Sequence, residues 1–176
     1  MDNRFILTAY GKDRPGIVSD VTRILYQNGC NLEDTSMTRL VDEFTLILLF
    51  TCPAGECEKG LQESCGLLEQ EKNISAFIRP LQQKRDLAEG NRNECTIHVE
   101  GEDQAGIVYK ISQYLADNEV NILDLKSTVK ASPGSGTAIY MMGILVQVPS
   151  TLSFAKLEEG LTQVAEELHV DIALSR

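Results

Sequence analysis

Apolar positions along this chain switch between a two-residue and a roughly 3.6-residue period, and the whole series runs twice. Residues 5–10 alternate, with Phe5, Leu7 and Ala9 on one face, and predict a strand. A turn at Gly11–Arg14 follows, and Pro15 is expected in the first turn of a helix, where its missing N–H is not needed. Ile17, Val21, Ile24 and Leu25 keep helical spacing, and Asn28-Gly29 is a stop signal. A mixed polar strand over 30–40, a short turn at 41–43 and a nearly continuous apolar strand over 44–51 come next. Leu61, Cys65 and Leu68 stripe a second helix over 56–72, and 73–80 closes the series as a strand. The order is β-α-β-β-α-β.

Residues 81–93 are polar and break both rhythms, with Gly90 as their softest point, so they read as a linker. The same order then returns. A strand is expected over 95–100, and a helix marked by Ile107, Ile111 and Leu115 ends near Asn118. Strands over 120–130 and 138–148 flank a longer loop, Ala131–Thr137. Leu157, Leu161, Val164 and Leu168 mark the last helix, and 169–174 the last strand. At an offset of 90 positions, Gly11, Asp13, Gly16, Ile17, Val18, Asn28, Asn31 and Asp34 recur as Gly101, Asp103, Gly106, Ile107, Val108, Asn118, Asn121 and Asp124. This is an internal duplication of one unit. The expected fold is α+β: two ferredoxin-like βαββαβ domains, at 1–80 and 94–176, each a four-stranded antiparallel sheet with two helices on one face.

Both third strands carry apolar residues at successive positions, as strands covered on two faces do. The helix-free faces or edges are therefore expected to be covered by the partner domain or by a second chain, and a homo-oligomer is expected.

Composition narrows the function classes. The net charge of −10 argues against direct binding of nucleic acid, which needs clustered Lys and Arg, and the single basic pair, Lys84-Arg85, lies in the linker. No apolar run approaches the roughly 20 residues that span a bilayer, and the N-terminus lacks the pattern of a signal peptide, so a cytoplasmic protein without membrane contact is expected. The five cysteines include no C-x-x-C pair, and His98 and His169 lie far along the chain from Cys52, Cys57 and Cys65. They read as buried or incidental reduced thiols rather than zinc ligands or a disulfide framework. No nucleophile–base constellation appears, so no catalytic residue, metal or cofactor is expected and the chain reads as a non-enzyme.

The duplicated turn carries the chemistry. Gly11-Lys-Asp-Arg-Pro-Gly-Ile-Val18 and Gly101-Glu-Asp-Gln-Ala-Gly-Ile-Val108 each lead from a strand into a helix. Such a turn leaves backbone N–H groups free at the positive end of the helix dipole, which suits a carboxylate. With its β-α-β-β-α-β context, the Gly-x-Asp-Arg-Pro-Gly-Ile-Val motif resembles the ACT domain, a regulatory module that commonly binds amino acids between two copies. Two tandem copies covering nearly the whole chain resemble the glycine-cleavage-system transcriptional repressor family. That resemblance implies a small amino acid ligand, glycine or serine-like, and a protein partner that is itself a DNA-binding regulator. In ACT domains that bind amino acids, the ligand sits between the first turn and the start of the second strand. Carried over by residue, this implies Asp13, Arg14, Pro15, Gly16 and Ile17 with Asn31 and Leu32. In the second copy it implies Asp103, Gln104, Ala105, Gly106 and Ile107 with Asn121 and Ile122. Structural readings stand beside these: the aspartates as helix caps, the two glycines for close helix–sheet packing, and the asparagines bonding their own turns. A second functional reading also stands, a constitutive interaction or oligomerisation module that binds nothing small.

Overall fold

The computed structural model describes residues 3–53, 57–81, 93–131 and 136–175. Each half of the chain folds the duplicated order into one sheet. The first unit contains β1 (Asn3–Lys12), α1 (Ile17–Gln27), β2 (Asn31–Leu40), β3 (Glu43–Cys52), α2 (Cys57–Lys72) and β4 (Ile74–Pro80). The second contains β5 (Asn93–Glu102), α3 (Ile107–Asp117), β6 (Asn121–Ala131), β7 (Ala138–Val148), α4 (Phe154–Leu168) and β8 (Val170–Ser175). The sheet orders are β2-β3-β1-β4 and β6-β7-β5-β8, with every neighbour antiparallel. This is the ferredoxin-like α+β arrangement that the periodicity predicts. The chain divides into two compact units, Met1–Arg85 and Asp86–Arg176. The expected linker, with Lys84, Arg85 and Gly90, lies outside the described residues over 82–92, as does most of the Ala131–Thr137 loop over 132–135.

Alternation decides the cores. Phe5, Leu7 and Ala9 of β1 and Phe44, Leu46, Leu48 and Phe50 of β3 point to one face. There they meet Ile17, Val21, Ile24 and Leu25 of α1 and Leu61, Cys65 and Leu68 of α2. Ile97, Ile144, Ile111, Leu115, Leu157 and Leu161 repeat the arrangement in the second unit. Truncating a fully buried leucine such as Leu48 to alanine costs about 2–5 kcal/mol in a core of this kind.

The chain departs from sequence expectation at four places. Gly11 and Gly101 belong to strands rather than to the turns after them. A Cβ on Gly101 would lie 2.6 Å from a Val170 methyl, and one on Gly11 would lie 3.1 Å from the Asn73 carbonyl oxygen, so close strand approach explains both glycines. Pro15 stands outside the helix, one residue before the N-cap Gly16, because the helix begins at Ile17. His169 caps α4 in the left-handed conformation (φ 52°) instead of opening the last strand. Within the first unit the third strand buries its helix side, and Ile47, which faces away from the helices, is 45% exposed and available to a covering partner. Finally, Cys52 and Cys57 are joined in a disulfide, and Cys30, from outside the group singled out by sequence, lies beside them. The two partners sit at the end of β3 and the start of α2, which the fold returns to one corner. Cys65 remains a thiol in the core, where burial pushes its pKa up to about 11.

Both first helices end in the same way. In α1 the N–H of Gly29 donates to Tyr26 O (3.1 Å) and that of Cys30 to Leu25 O (2.9 Å), a Schellman arrangement. In α3, Glu119 and Val120 repeat it toward Ala116 and Leu115. Gly29 takes the required positive φ of 66°, and Glu119 takes 56° with a side chain attached. The Asn28 and Asn118 amides each donate back to the helix at 2.9 Å, to Ile24 O and Tyr114 O.

Candidate ligand site at the strand–helix turns

The geometry of each turn follows from its second glycine. Gly16 (φ 86°) and Gly106 (φ 101°) are the N-caps, both left-handed, a conformation that a Cβ disfavours. A Cβ on Gly106 would meet nothing within 4 Å, so backbone conformation rather than packing calls for glycine there. No side chain caps either helix among the described residues. Asp13 and Asp103 thus do not act as caps. The first in-helix bonds are Asp20 N–H to Gly16 O and Lys110 N–H to Gly106 O, both 2.9 Å. The N–H groups of Val18, Ser19, Val108 and Tyr109 precede them and have no intrahelical acceptor.

Around this shared backbone the two turns differ. In the first, the Asp13 N–H donates to Asp42 O at 2.7 Å, and its carboxylate receives the Arg39 guanidinium at 3.3 Å. Arg14 folds back over the helix start: Nη2 lies 2.6 Å from Asp20 Oδ2 and Nη1 3.3 Å from Pro15 O. Arg23 holds the other Asp20 oxygen at 2.9 Å. The hydrogen bond from Arg14 holds the Asp20 carboxyl below the usual range, against a smaller opposing effect of desolvation. In the second turn, Asp103 N–H donates to Ala138 O at 3.0 Å. Gln104 reaches away from its own helix to the Leu168 carbonyl at the end of α4. Lys110 stands where the first unit has Asp20, and pairs with Glu167 of α4 at 3.1 Å.

Ile17 and Ile107 point into the cores, each 2% exposed, so only their backbones face the turns. Asn31, Leu32 and Asn121 are exposed, and Ile122 is half-buried against the second core. Strand register separates these residues from the turns. Lys12, the last residue before the first turn, pairs with Glu43, whereas Asn31 pairs with Thr51 at the far end of β3. These two positions are eight residues apart along β3, about 27 Å. In the second unit Glu102 pairs with Ile139 and Asn121 with Gln147, the same separation. The turn and the second-strand start therefore belong to opposite ends of one sheet. Sequence reasoning missed Asp20, Arg39 and Asp42. The signal available was charge: Arg14 and Asp20 straddle the helix start, and Asp42 sits in the hairpin that the register brings beside it.

A concavity of about 490 Å³ lies elsewhere, on the helix-free face of the second unit. His98, Glu100, Lys126, Met141 and Asp171 line it, and none of its lining residues belongs to the turns. No helix among the described residues is long and apolar enough to cross a membrane.

Comparison with known proteins converges on one family. The ACT domain model matches residues 3–75 and again 95–175. The glycine cleavage system transcriptional repressor of Escherichia coli is 25% identical over 169 residues, covering 93% of this chain and 85% of the repressor. A UPF0237 protein of Neisseria meningitidis serogroup A is 38% identical over 78 residues, 44% of this chain and 84% of its own. Among solved structures, that of an unknown protein from Galdieria sulphuraria has 28% identity and a TM-score of 0.81, covering 99% of this chain and 98% of that one. This chain thus belongs to the ACT domain family, as a tandem pair that resembles the glycine cleavage system transcriptional repressor.

Proposed function

We propose that this chain is a non-enzymatic regulatory protein of the cytoplasm. It binds a small amino acid, glycine or serine-like, at interfaces between ACT units, and it modulates a protein partner, a transcription regulator of the glycine cleavage system. The observation that carries the reading is the pair of uncapped helix starts headed by left-handed glycines. They offer N–H groups and dipole to an α-carboxylate. Asp13 and Asp103 precede the N-cap glycines by three residues, and their carboxylates would accept from an α-ammonium, that of Asp13 in exchange for its contact with Arg39. Because the turn and Asn31 occupy opposite ends of a sheet, a ligand that touches both a turn and a second-strand asparagine bridges two copies of the unit. The partner class is supported by similarity to the Escherichia coli repressor over most of the chain. Linkage then supplies the mechanism: a ligand shared by two units favours the arrangement in which both contacts form.

Thermal unfolding against each of the twenty amino acids at a few millimolar tests this. At a hundred times its dissociation constant a ligand adds about 2.7 kcal/mol. A selective shift with glycine or serine that Asp13→Ala or Asp103→Ala abolishes supports the sensor. No shift with any amino acid removes the ligand from the proposal.

One observation favours the constitutive interaction module. On the helix-free face of the first unit, Tyr10, Ile47 and Phe77 are 50%, 45% and 54% exposed. Their register places Thr8 between Ile47 and Phe77, with Tyr10 two residues along. A partner captured equally with and without amino acids decides for that reading.

A further inference from the structure

Three cysteines distant in sequence meet at one corner of the first unit. Cys30 follows the Schellman turn of α1, Cys52 ends β3 and Cys57 opens α2. Cys30 Sγ lies 3.3 Å from Cys52 Sγ and 3.5 Å from Cys57 Sγ, and all three sulfurs lie within 4.8 Å of one another. Cys52 is buried in the core, and the other two are half-buried against it. Packing does not require sulfur here. The second unit builds the same corner with Val120 after its Schellman turn and Val148 at the end of β7, both buried.

We propose that, with the Cys52–Cys57 bond reduced, Cys30, Cys52 and Cys57 form a three-thiolate site for a thiophilic d¹⁰ cation, Zn²⁺ or Cu⁺. Thiolate sulfurs around such an ion at about 2.3 Å stand roughly 3.8 Å apart, so the two Cys30 contacts lengthen by about half an ångström or less, while Cys52 and Cys57 must part to the same spacing once their bond is reduced. Cys30 is held by its backbone bond to Leu25 O, and Cys57 is fixed at the first position of a 16-residue helix. The balance has two steps. A dithiol reductant passes two electrons and two protons to the Cys52–Cys57 bond and becomes a disulfide itself. The cation then displaces one proton from each of the three thiols. Cu⁺ is satisfied by three sulfurs, whereas Zn²⁺ takes a solvent oxygen as its fourth ligand. The disulfide form, with two of its three ligands bonded to each other, is the metal-free state.

The test uses the full chain, reduced and held without oxygen, and titrated separately with Zn²⁺ and Cu⁺ against chromophoric competitors. Metal content is then measured after gel filtration. The expected result is one ion per chain, with binding weakened on the order of tenfold or more by Cys30→Ala and by Cys57→Ala. Cys65→Ala and Cys95→Ala leave it unchanged. Preference for one ion names the site as zinc or copper. Cys30→Ala changes a half-exposed residue held by its backbone, so that variant carries the test if Cys52→Ala does not fold. The proposal is overturned if the reduced chain retains no stoichiometric ion, or if Cys30→Ala binds as well as the parent. It is likewise overturned if the air-oxidised disulfide chain binds as tightly as the reduced one.

Discussion

The two turns of this molecule have one backbone and two electrostatic characters. In each, a left-handed glycine starts the helix and the preceding aspartate N–H is held by the neighbouring hairpin. The first then closes on itself, with Arg14 and Arg23 on Asp20 and Arg39 on Asp13. The second opens toward α4 through Gln104 and Lys110. The backbone requirement survives duplication because only glycine adopts that conformation cheaply, whereas side chains around it are free to find other partners. If a carboxylate binds at both turns, it meets a committed arginine at the first and a neutral amide at the second.

The comparison can be broken most strongly at the strand glycines. Gly101→Ala drives a Cβ to 3.0–3.1 Å from the Val170 Cβ and Cα, whereas Gly11→Ala meets a single close atom at 3.1 Å. Urea unfolding is expected to show a loss of about 2–3 kcal/mol for the first and nearer 1 for the second. Equal losses would mean that the close approach is not what selects glycine. Next in size, Gly16→Ala and Gly106→Ala each cost about 1–2 kcal/mol from the positive φ alone, with helix content retained by circular dichroism. The helix ends provide a smaller, signed contrast. Glu119→Gly raises stability by about 0.5–1 kcal/mol, while Gly29→Ala lowers it by a similar amount; the same sign for both would refute the cap argument.

The smallest expected effect is a pH dependence confined to the first turn. Asp20 has a folded pKa below its unfolded value, so its contribution is present above the ordinary carboxylate pKa and is lost as pH falls through the folded one. Peptide-resolved hydrogen exchange should show the start of α1 loosening below about pH 4, before the start of α3 does. Asp20→Asn should remove the difference, and a wild-type α1 that opens no earlier than α3 would rule out this role for Asp20.

The fold was readable because the core obeys simple periods: Phe5, Leu7 and Ala9 alternate, and Ile17, Val21 and Ile24 follow a helix. The duplication presents each of these periods twice. What could not be read depends on contacts between distant segments. Nothing local says that Gly101 lies under Val170, or that Asp13 would meet Arg39 from a strand edge, since strand register decides both. The cysteine corner was hidden for the same reason. Cys30 is 22 residues from its nearest partner in sequence, and only the closing of β2 onto β3 brings them together.

The eight-residue separation between each turn and its own second-strand asparagine also sets the molecularity of binding. A ligand that needs both groups binds in a step involving two ACT units. Its half-saturation point then depends on how often units meet, as well as on the contacts made. If the meeting units come from different chains, dilution weakens apparent affinity and the amino acid promotes association. If they come from one chain, affinity is independent of protein concentration. A titration repeated at two protein concentrations separates these cases.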